Sequence, residues 1–146
     1  MATNKIVKVT AKGLDGFLVE TKAGAHTALV DQPPAMGGKD QGPTPLDYVF
    51  ISLAGCLVTI AKIVANQKQI VLRNVEVEVE GELNLDVLRG QDKTDRAGFK
   101  SFKIGMKVDA DMTKEEKEKF IEEVDRRCPI SDNLMNTTPI EIALID

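Results

Sequence analysis

A run of 14 mostly apolar residues, 48–61, most limits how this chain can fold. It follows a clear helix start, because Thr44 is a good N-cap, Pro45 suits the first helical position and Asp47 comes three residues after the cap. The pattern predicts a helix over residues 44–67 that is apolar nearly all round. Such a helix has to be enclosed by the fold, and the apolar run is too short to span a bilayer.

The size and composition of the chain limit what can enclose that helix. The protein has 146 residues, of which 42% are hydrophobic and 29% are charged. This balance is typical of a soluble globular domain, and we predict a single domain over residues 1–146. One chain with only two other helical segments would cover the helix poorly, so we also predict a homodimer in which sheet from both chains encloses it.

Charge and composition exclude several classes of function. The net charge is −4 and only 4% of residues are aromatic, so we expect no nucleic acid partner. Residues 1–30 alternate polar and apolar positions, which predicts no signal peptide, and two cysteines do not make a disulfide framework. We therefore expect a cytoplasmic protein with no membrane partner. One histidine and no paired-cysteine motif predict no metal site.

The rest of the chain alternates between strand and helix patterns. Three short strands precede a loop rich in proline and glycine at 32–43, and they are predicted at Ile6–Ala11, Phe17–Thr21 and Thr27–Val30. Two longer strands follow the helix, with a row of Glu in the first beside a row of Lys in the second, which predicts antiparallel pairing. Their apolar faces are predicted to hold Val75, Val77, Val79, Leu83, Leu85 and Val87 in the first strand, and Phe102, Ile104, Met106 and Val108 in the second.

The C-terminal region predicts two helices and a last strand. Thr113 and Glu116 form a capping box that opens an amphipathic helix to about Arg127. The Cys128–Pro129 pair interrupts it, because a residue before proline is pushed out of helical space, and a short helix over 129–135 follows. Ile140, Ile142 and Leu144 alternate as a closing strand. The predicted order, βββ-α-ββ-αα-β, is an α+β fold with antiparallel sheets.

The two cysteines carry the candidate chemistry. Cys56 lies in the middle of the apolar helix, whereas Cys128 lies at the start of the short helix, where free N–H groups favour a thiolate. Arg126 and Arg127 add positive charge beside Cys128. The alternative is that both thiols are inert buried side chains, as free cysteines often are.

Two stretches of sequence resemble the OsmC/Ohr family. They are GGKDQGPTPLDYVFISLAGC at 37–56 and RRCPISDNL at 126–134, each with a cysteine in the expected surroundings. The resemblance extends to Leu14-Asp15-Gly16 in the first hairpin and to the TPIEI stretch near the C-terminus. Within the family, the sequence is more similar to the branch typified by the bacterial protein YhfA.

The resemblance implies a fold, a partner and a reaction. The fold would be an intertwined homodimer with long central helices packed between antiparallel sheets. Cys56 would be the thiolate that attacks an organic hydroperoxide, and Cys128 would resolve the product as a disulfide. No bound cofactor is implied; an external dithiol or lipoyl-type reductant would restore both thiols. The dipole at the short helix alone would instead favour Cys128 as the more acidic thiol.

The sequence departs from the peroxidase branches at the groups that activate the thiol. Their Arg in the first hairpin corresponds to Leu14, and their Glu after the helix-opening proline corresponds to Leu46. Asp47 follows and is a candidate replacement, or only a helix cap. It precedes Cys56 by nine residues, about 13.5 Å along a straight helix. Either the helix breaks near Tyr48, or Asp47 serves a thiol of the other subunit, or it has no catalytic part.

These departures leave two functions open. The first is a thiol peroxidase for organic hydroperoxides that uses Cys56 and Cys128, as part of an oxidative stress response. The second is a dimer on the same scaffold that binds a small molecule or senses thiol oxidation without peroxidase turnover. The two intact cysteine motifs favour the first function, and the loss of the Arg at Leu14 favours the second.

Overall fold

Strands and helices follow one another in an α+β arrangement, as predicted. The computed structural model describes residues 2–146, which divide into one unit that ends at Val49 and a second, Phe50–Asp146. A short 3-10 helix, Pro34–Met36, lies in the loop after the third strand. The elements in chain order are β1 (Thr10–Gly13), β2 (Val19–Ala23), β3 (His26–Val30), α1 (Pro45–Gln67), β4 (Leu72–Glu82), α2 (Leu85–Leu88), β5 (Ser101–Ala110), α3 (Lys114–Arg126) and α4 (Pro129–Met135).

The first unit is an antiparallel meander in the order β1-β2-β3. Gly24 has a φ of +60° at the first position of the two-residue turn between β2 and β3, a conformation that glycine adopts at little cost. The predicted first strand is displaced, because pairing begins at Thr10 and not at Ile6. In this register the last residue of β2, Ala23, lies opposite Val9, and the chain then turns at Gly24. Residues 6–8 therefore have no partner on β2, and Ile6 is left 94% exposed.

The proline- and glycine-rich loop is built around a buried carboxylate. Asp31 is 2% exposed and accepts hydrogen bonds from the backbone N–H groups of Gln32 (2.8 Å), Lys39 (3.4 Å) and Gln41 (3.1 Å). These bonds lower the pKa of Asp31, with the Gln32 amide as the largest cause. Gly38 is required by the close return of the chain, because a Cβ there would lie 1.9 Å from the Gln32 carbonyl oxygen.

Helix α1 buries one face within the second unit. Its buried residues recur at helical spacing and pack against β4, β5 and α3 in one core; they are Leu53, Leu57, Ala61, Val64 and Ala65. The opposite face is exposed in the single chain and includes Ile51, Gly55, Thr59 and Ile63. The prediction of an enclosed helix therefore does not hold for one chain alone.

The length of α1 also corrects the argument about membranes. The helix has 23 residues, and by length and composition alone it is apolar enough to cross a membrane. Of its most apolar 18-residue window, 28% is buried within the chain. This observation is weak support for a membrane span, because core helices of soluble proteins pass the same test.

Strands β4 and β5 form the predicted antiparallel hairpin. Glu76 pairs with Lys107 and Glu80 with Lys103 across it, and the charged side chains are exposed. The predicted extension of β4 to Val87 is wrong, because the strand ends at Glu82 and residues 85–88 form α2. Asn84 caps that helix by accepting a hydrogen bond from the Asp86 N–H (2.9 Å), which ends the extended conformation.

The C-terminal helices begin and end where the sequence predicts. Thr113 and Glu116 form the reciprocal capping box of α3, and α4 spans Pro129–Met135. The predicted closing strand is absent from the described chain, where residues 137–146 have no regular structure. Alternation produces a strand only where a sheet edge offers hydrogen-bond partners, and Ile140 and Ile142 remain 81% and 95% exposed.

Candidate active site

The structure brings the two cysteines into contact. The Sγ atoms of Cys56 and Cys128 lie within hydrogen-bond distance, 2.9 Å apart, although the two residues are 72 positions apart in sequence. Both are free thiols; Cys128 is 1% exposed and Cys56 is half-buried. Two thiols at this separation are close enough for one sulfur to attack the other once it is oxidised.

The break between α3 and α4 fixes the position of Cys128. The Cys128 N–H donates to the Asp125 carbonyl at the end of α3 (3.1 Å), and Pro129 opens α4 directly afterwards. Cys128 is thereby held in an extended conformation as the N-cap of α4, and its Sγ accepts a hydrogen bond from the Ser131 N–H (3.4 Å). The sequence signal for this geometry was the Cys-Pro pair.

Burial and the second thiol both oppose ionisation of Cys56. Desolvation is the largest cause of its raised pKa, and Cys128 raises the pKa further through the hydrogen bond between the sulfurs and through its charge. The Ile130 N–H, which hydrogen-bonds to Cys56, lowers the pKa in part. The direction follows from the position of Cys56 in an apolar helix, because burial disfavours the charged thiolate.

The arginines beside Cys128 are engaged with a neighbouring carboxylate. Arg126 donates to Glu123 at 2.6 Å, and Arg127 lies 3.7 Å from the same side chain. Arg127 also donates to the Gln67 side chain (2.9 Å). The pKa of Glu123 is lowered chiefly by its hydrogen bond to Arg126. These guanidinium groups therefore have partners of their own and are not held toward the sulfurs by these contacts.

Asp47 acts as a helix cap in this structure. Its carboxylate accepts hydrogen bonds from the Thr44 N–H (2.9 Å) and hydroxyl (2.8 Å), and its own N–H donates to the Thr44 hydroxyl (3.1 Å). Helix α1 is continuous through Tyr48, so the alternative of a break there is excluded. Two alternatives are left: Asp47 acts on a thiol of a second subunit, or it has no catalytic role.

One interaction beside the thiols was missed in the sequence. The Ser131 hydroxyl donates to Asp125 Oδ1 at 2.6 Å, which ties α4 to α3, and Ser131 is 6% exposed. Its backbone N–H meanwhile donates to Cys128 Sγ. Ser131 belongs to the Cys-Pro-Ile-Ser segment, but its acidic partner, six residues earlier, lies in a different helix and no periodicity marks it.

Within residues 2–146, no group of three or more His, Cys, Asp or Glu side chains could hold a metal ion. Leu14, which by the resemblance corresponds to the Arg of the peroxidase branches, is 41% exposed in the turn after β1. Its N–H donates to the Leu18 carbonyl (2.8 Å), so the backbone of this turn is fixed without help from the side chain.

Comparisons with known proteins agree with the resemblance. The sequence model of a family described as OsmC-like protein matches residues 38–143. A search of curated proteins gave no significant match. The similarity to the YhfA-like branch stays a prediction.

Solved structures share the fold at low sequence identity. An OsmC-like protein from Mycoplasma pneumoniae superposes with a TM-score of 0.79 at 19% identity, over 91% of this chain and 89% of its own. The organic hydroperoxide resistance protein OsmC from Legionella pneumophila gives 0.68 at 22% identity, over 91% of each chain. An organic hydroperoxide resistance protein from Elizabethkingia anophelis gives 0.66 at 20% identity, over 90% and 89%.

Proposed function

Because the chain belongs to the OsmC-like protein family, we propose that it is a thiol-dependent peroxidase that reduces organic hydroperoxides through Cys56 and Cys128. The observation that carries the proposal is the 2.9 Å separation of the two sulfur atoms. Two of the similar structures are of proteins named for organic hydroperoxide resistance, which is consistent with a role in oxidative stress.

The proposed reaction has three balanced steps. The Cys56 thiolate attacks one peroxide oxygen, the O–O bond breaks, the alcohol leaves after taking a proton, and Cys56 becomes a sulfenic acid. Cys128 then attacks the Cys56 sulfur, water leaves and a disulfide forms. An external dithiol of the lipoyl type reduces that disulfide and is itself oxidised to a disulfide. In this proposal no resident cofactor takes part, and the cytoplasm supplies the reductant.

The proposed active form is a homodimer. The exposed face of α1 carries Ile51, Gly55, Thr59 and Ile63, with Lys62 and Asn66 toward its C-terminal end. Thr59 turns its hydroxyl back to the Gly55 carbonyl (2.8 Å). Ile51 on this face is 51% exposed. A second copy would cover this face, and its sheet edges would give the alternating C-terminal residues the hydrogen-bond partners that a single chain lacks.

The surroundings of Cys56 favour a second candidate function. Leu14 stands where the peroxidase branches have Arg, and the pKa of Cys56 is raised. These observations favour a dimer that binds a small molecule or records oxidation once, as a sensor, without rapid turnover. In such a protein the disulfide would form, but slowly, and the dithiol would not sustain a cycle.

The test is stoichiometric oxidation followed by turnover. One equivalent of cumene hydroperoxide should remove two hydrogens from the intact mass, and tryptic peptides should join Cys56 to Cys128. Cys128→Ser should instead gain one oxygen at Cys56, and Cys56→Ser should remain unchanged. Over-oxidation of Cys56 while Cys128 stays a free thiol would refute the resolving role.

Turnover with dihydrolipoamide separates the two candidates. A peroxidase consumes many equivalents of hydroperoxide per chain, whereas a sensor stops after one. The Cys56→Ser variant is the control for reduction of the peroxide by the dithiol alone.

A further inference from the structure

The second unit contains an open cavity that the proposed reaction does not use. Its volume is about 550 Å³, within the range typical of small-molecule sites. Helices α1, α3 and α4 and strand β5 form its walls, and neither cysteine lines it. Most of the lining is apolar: Leu53, Leu57, Phe102, Ile104, Met106, Ile121, Leu134 and Met135.

The polar groups of the cavity lie together and share one chemical character. Glu122, Asp125 and Ser131 complete the lining. Glu122 and Asp125 are three residues apart on α3, so their carboxylates share one helix face. The Ser131 hydroxyl gives its hydrogen to Asp125 Oδ1, which leaves that hydroxyl able only to accept. The polar end of the cavity therefore offers hydrogen-bond acceptors and negative charge.

No positive side chain balances these carboxylates at the cavity. Among the described residues that line it, none is basic. Arg126, the last residue of α3, and Arg127, which follows it, are held by Glu123, which is not part of the lining. A ligand with a carboxylate or phosphate would place like charges together, whereas a ligand with a charged donor would gain charge-assisted hydrogen bonds.

We propose that this cavity binds an amphipathic molecule with an apolar body and a protonated amine head. The apolar body would contact α1 and β5, and the head would donate to Glu122 and Asp125. Leu53 and Leu57 belong to the buried face of α1, opposite the exposed face assigned to the homodimer. This binding site does not depend on the peroxidase reaction.

The ligand would lie next to Ser131, which contacts one of the two cysteines. Ser131 forms part of the cavity wall, and its backbone N–H donates to Cys128 Sγ. A ligand that pulled Asp125 away from the Ser131 hydroxyl would act on the segment that positions Cys128. Binding and thiol chemistry can nevertheless be measured separately, because the binding test uses reduced protein and no peroxide.

The test compares three probes with the same body and different heads. Phenylbutylamine, phenylbutanol and phenylbutyrate are titrated by calorimetry into the reduced full-length protein as purified, in about 0.15 M salt, where the Debye length is about 8 Å. An alkylamine is protonated at neutral pH, as lysine is. We expect the amine to bind at least about tenfold more tightly than the carboxylate, with the alcohol between them.

Two matched variants test the assigned residues. Glu122→Gln should abolish most of the preference for the amine. The control is Glu118→Gln, one turn earlier on α3, where the side chain is exposed. This substitution changes the net charge equally and should leave the preference intact. Leu134→Trp, at a 41% exposed position of the wall, should weaken all three probes. The proposal is overturned if no probe binds, if the head makes no difference, or if Glu118→Gln acts like Glu122→Gln.

Discussion

Removal of Cys128 should make Cys56 a more reactive nucleophile. In the native pair, Cys128 raises the pKa of Cys56 through a hydrogen bond and through charge, in addition to the effect of burial. The Cys128→Ala substitution deletes both contributions and keeps the Ile130 backbone, whose N–H lowers the pKa. We therefore expect the pKa of Cys56 to fall in this variant.

The ordinary pKa of the thiol sets the size of the effect. A thiol at its ordinary value of 9.0 is about 1% thiolate near pH 7, and the native Cys56 lies below that fraction because its pKa is raised. Each unit by which the pKa falls multiplies the thiolate fraction near neutrality by about ten. Alkylation by iodoacetamide follows that fraction, because the thiolate is the nucleophile.

The assay is the rate of Cys56 alkylation as a function of pH, followed by peptide mass spectrometry. Native protein, Cys128→Ala and the unfolded chain in urea are compared, the last giving the unperturbed thiol. Circular dichroism checks that the variant is folded. If native Cys56 titrates below neutrality, or if its pKa rises in Cys128→Ala, the electrostatic description of the pair is wrong and another group stabilises the thiolate.

Further expectations concern activation, loop packing, assembly and pH. Leu14→Arg should raise the peroxidase rate with cumene hydroperoxide about tenfold for each unit by which the added cation lowers the pKa of Cys56. An unchanged rate would show that this position does not reach the thiol. Gly38→Ala should destabilise the fold by about 1–3 kcal/mol or more in urea denaturation, because its Cβ would meet the Gln32 carbonyl, whereas Gly13→Ala, with nothing within 4 Å, should cost much less. The native protein should sediment as a dimer and Ile63→Glu as a smaller species; a native monomer would exclude the proposed assembly. Asp95 has its pKa lowered to about 2, chiefly by the hydrogen bond to Lys100. Its ionised form therefore stabilises the fold above about pH 4, and the difference in stability between native protein and Asp95→Asn should shrink as the pH falls toward about 2.

Local patterns predicted the helices because their signals are local. The Thr113 capping box and the Cys128–Pro129 break depend on residues within one turn, and the structure has both. The Glu and Lys rows of β4 and β5 likewise identified partners that face each other directly. The contact between Cys56 and Cys128 spans 72 residues, and the sequence indicated it only through the family resemblance.

Features that depend on distant partners were missed or misplaced. The alternation of Ile140, Ile142 and Leu144 is a strand pattern, but a strand needs an edge to pair with, and the pattern does not say where that edge is. Asp31 was missed because its partners are backbone amides of a later loop, and backbone donors leave no trace in side-chain periodicity.

The contact between the two sulfurs has a consequence for the timing of oxidation and reduction. A disulfide bond is about 2.05 Å long, so the sulfur atoms at 2.9 Å have less than about 1 Å to travel. Side-chain rotation alone covers such a distance, and no helix has to unwind first. The reduced and oxidised chains would then share nearly the same backbone. Regeneration of the thiols would then be limited by access of the reductant to the half-buried Cys56. It would not be limited by a rearrangement of the fold.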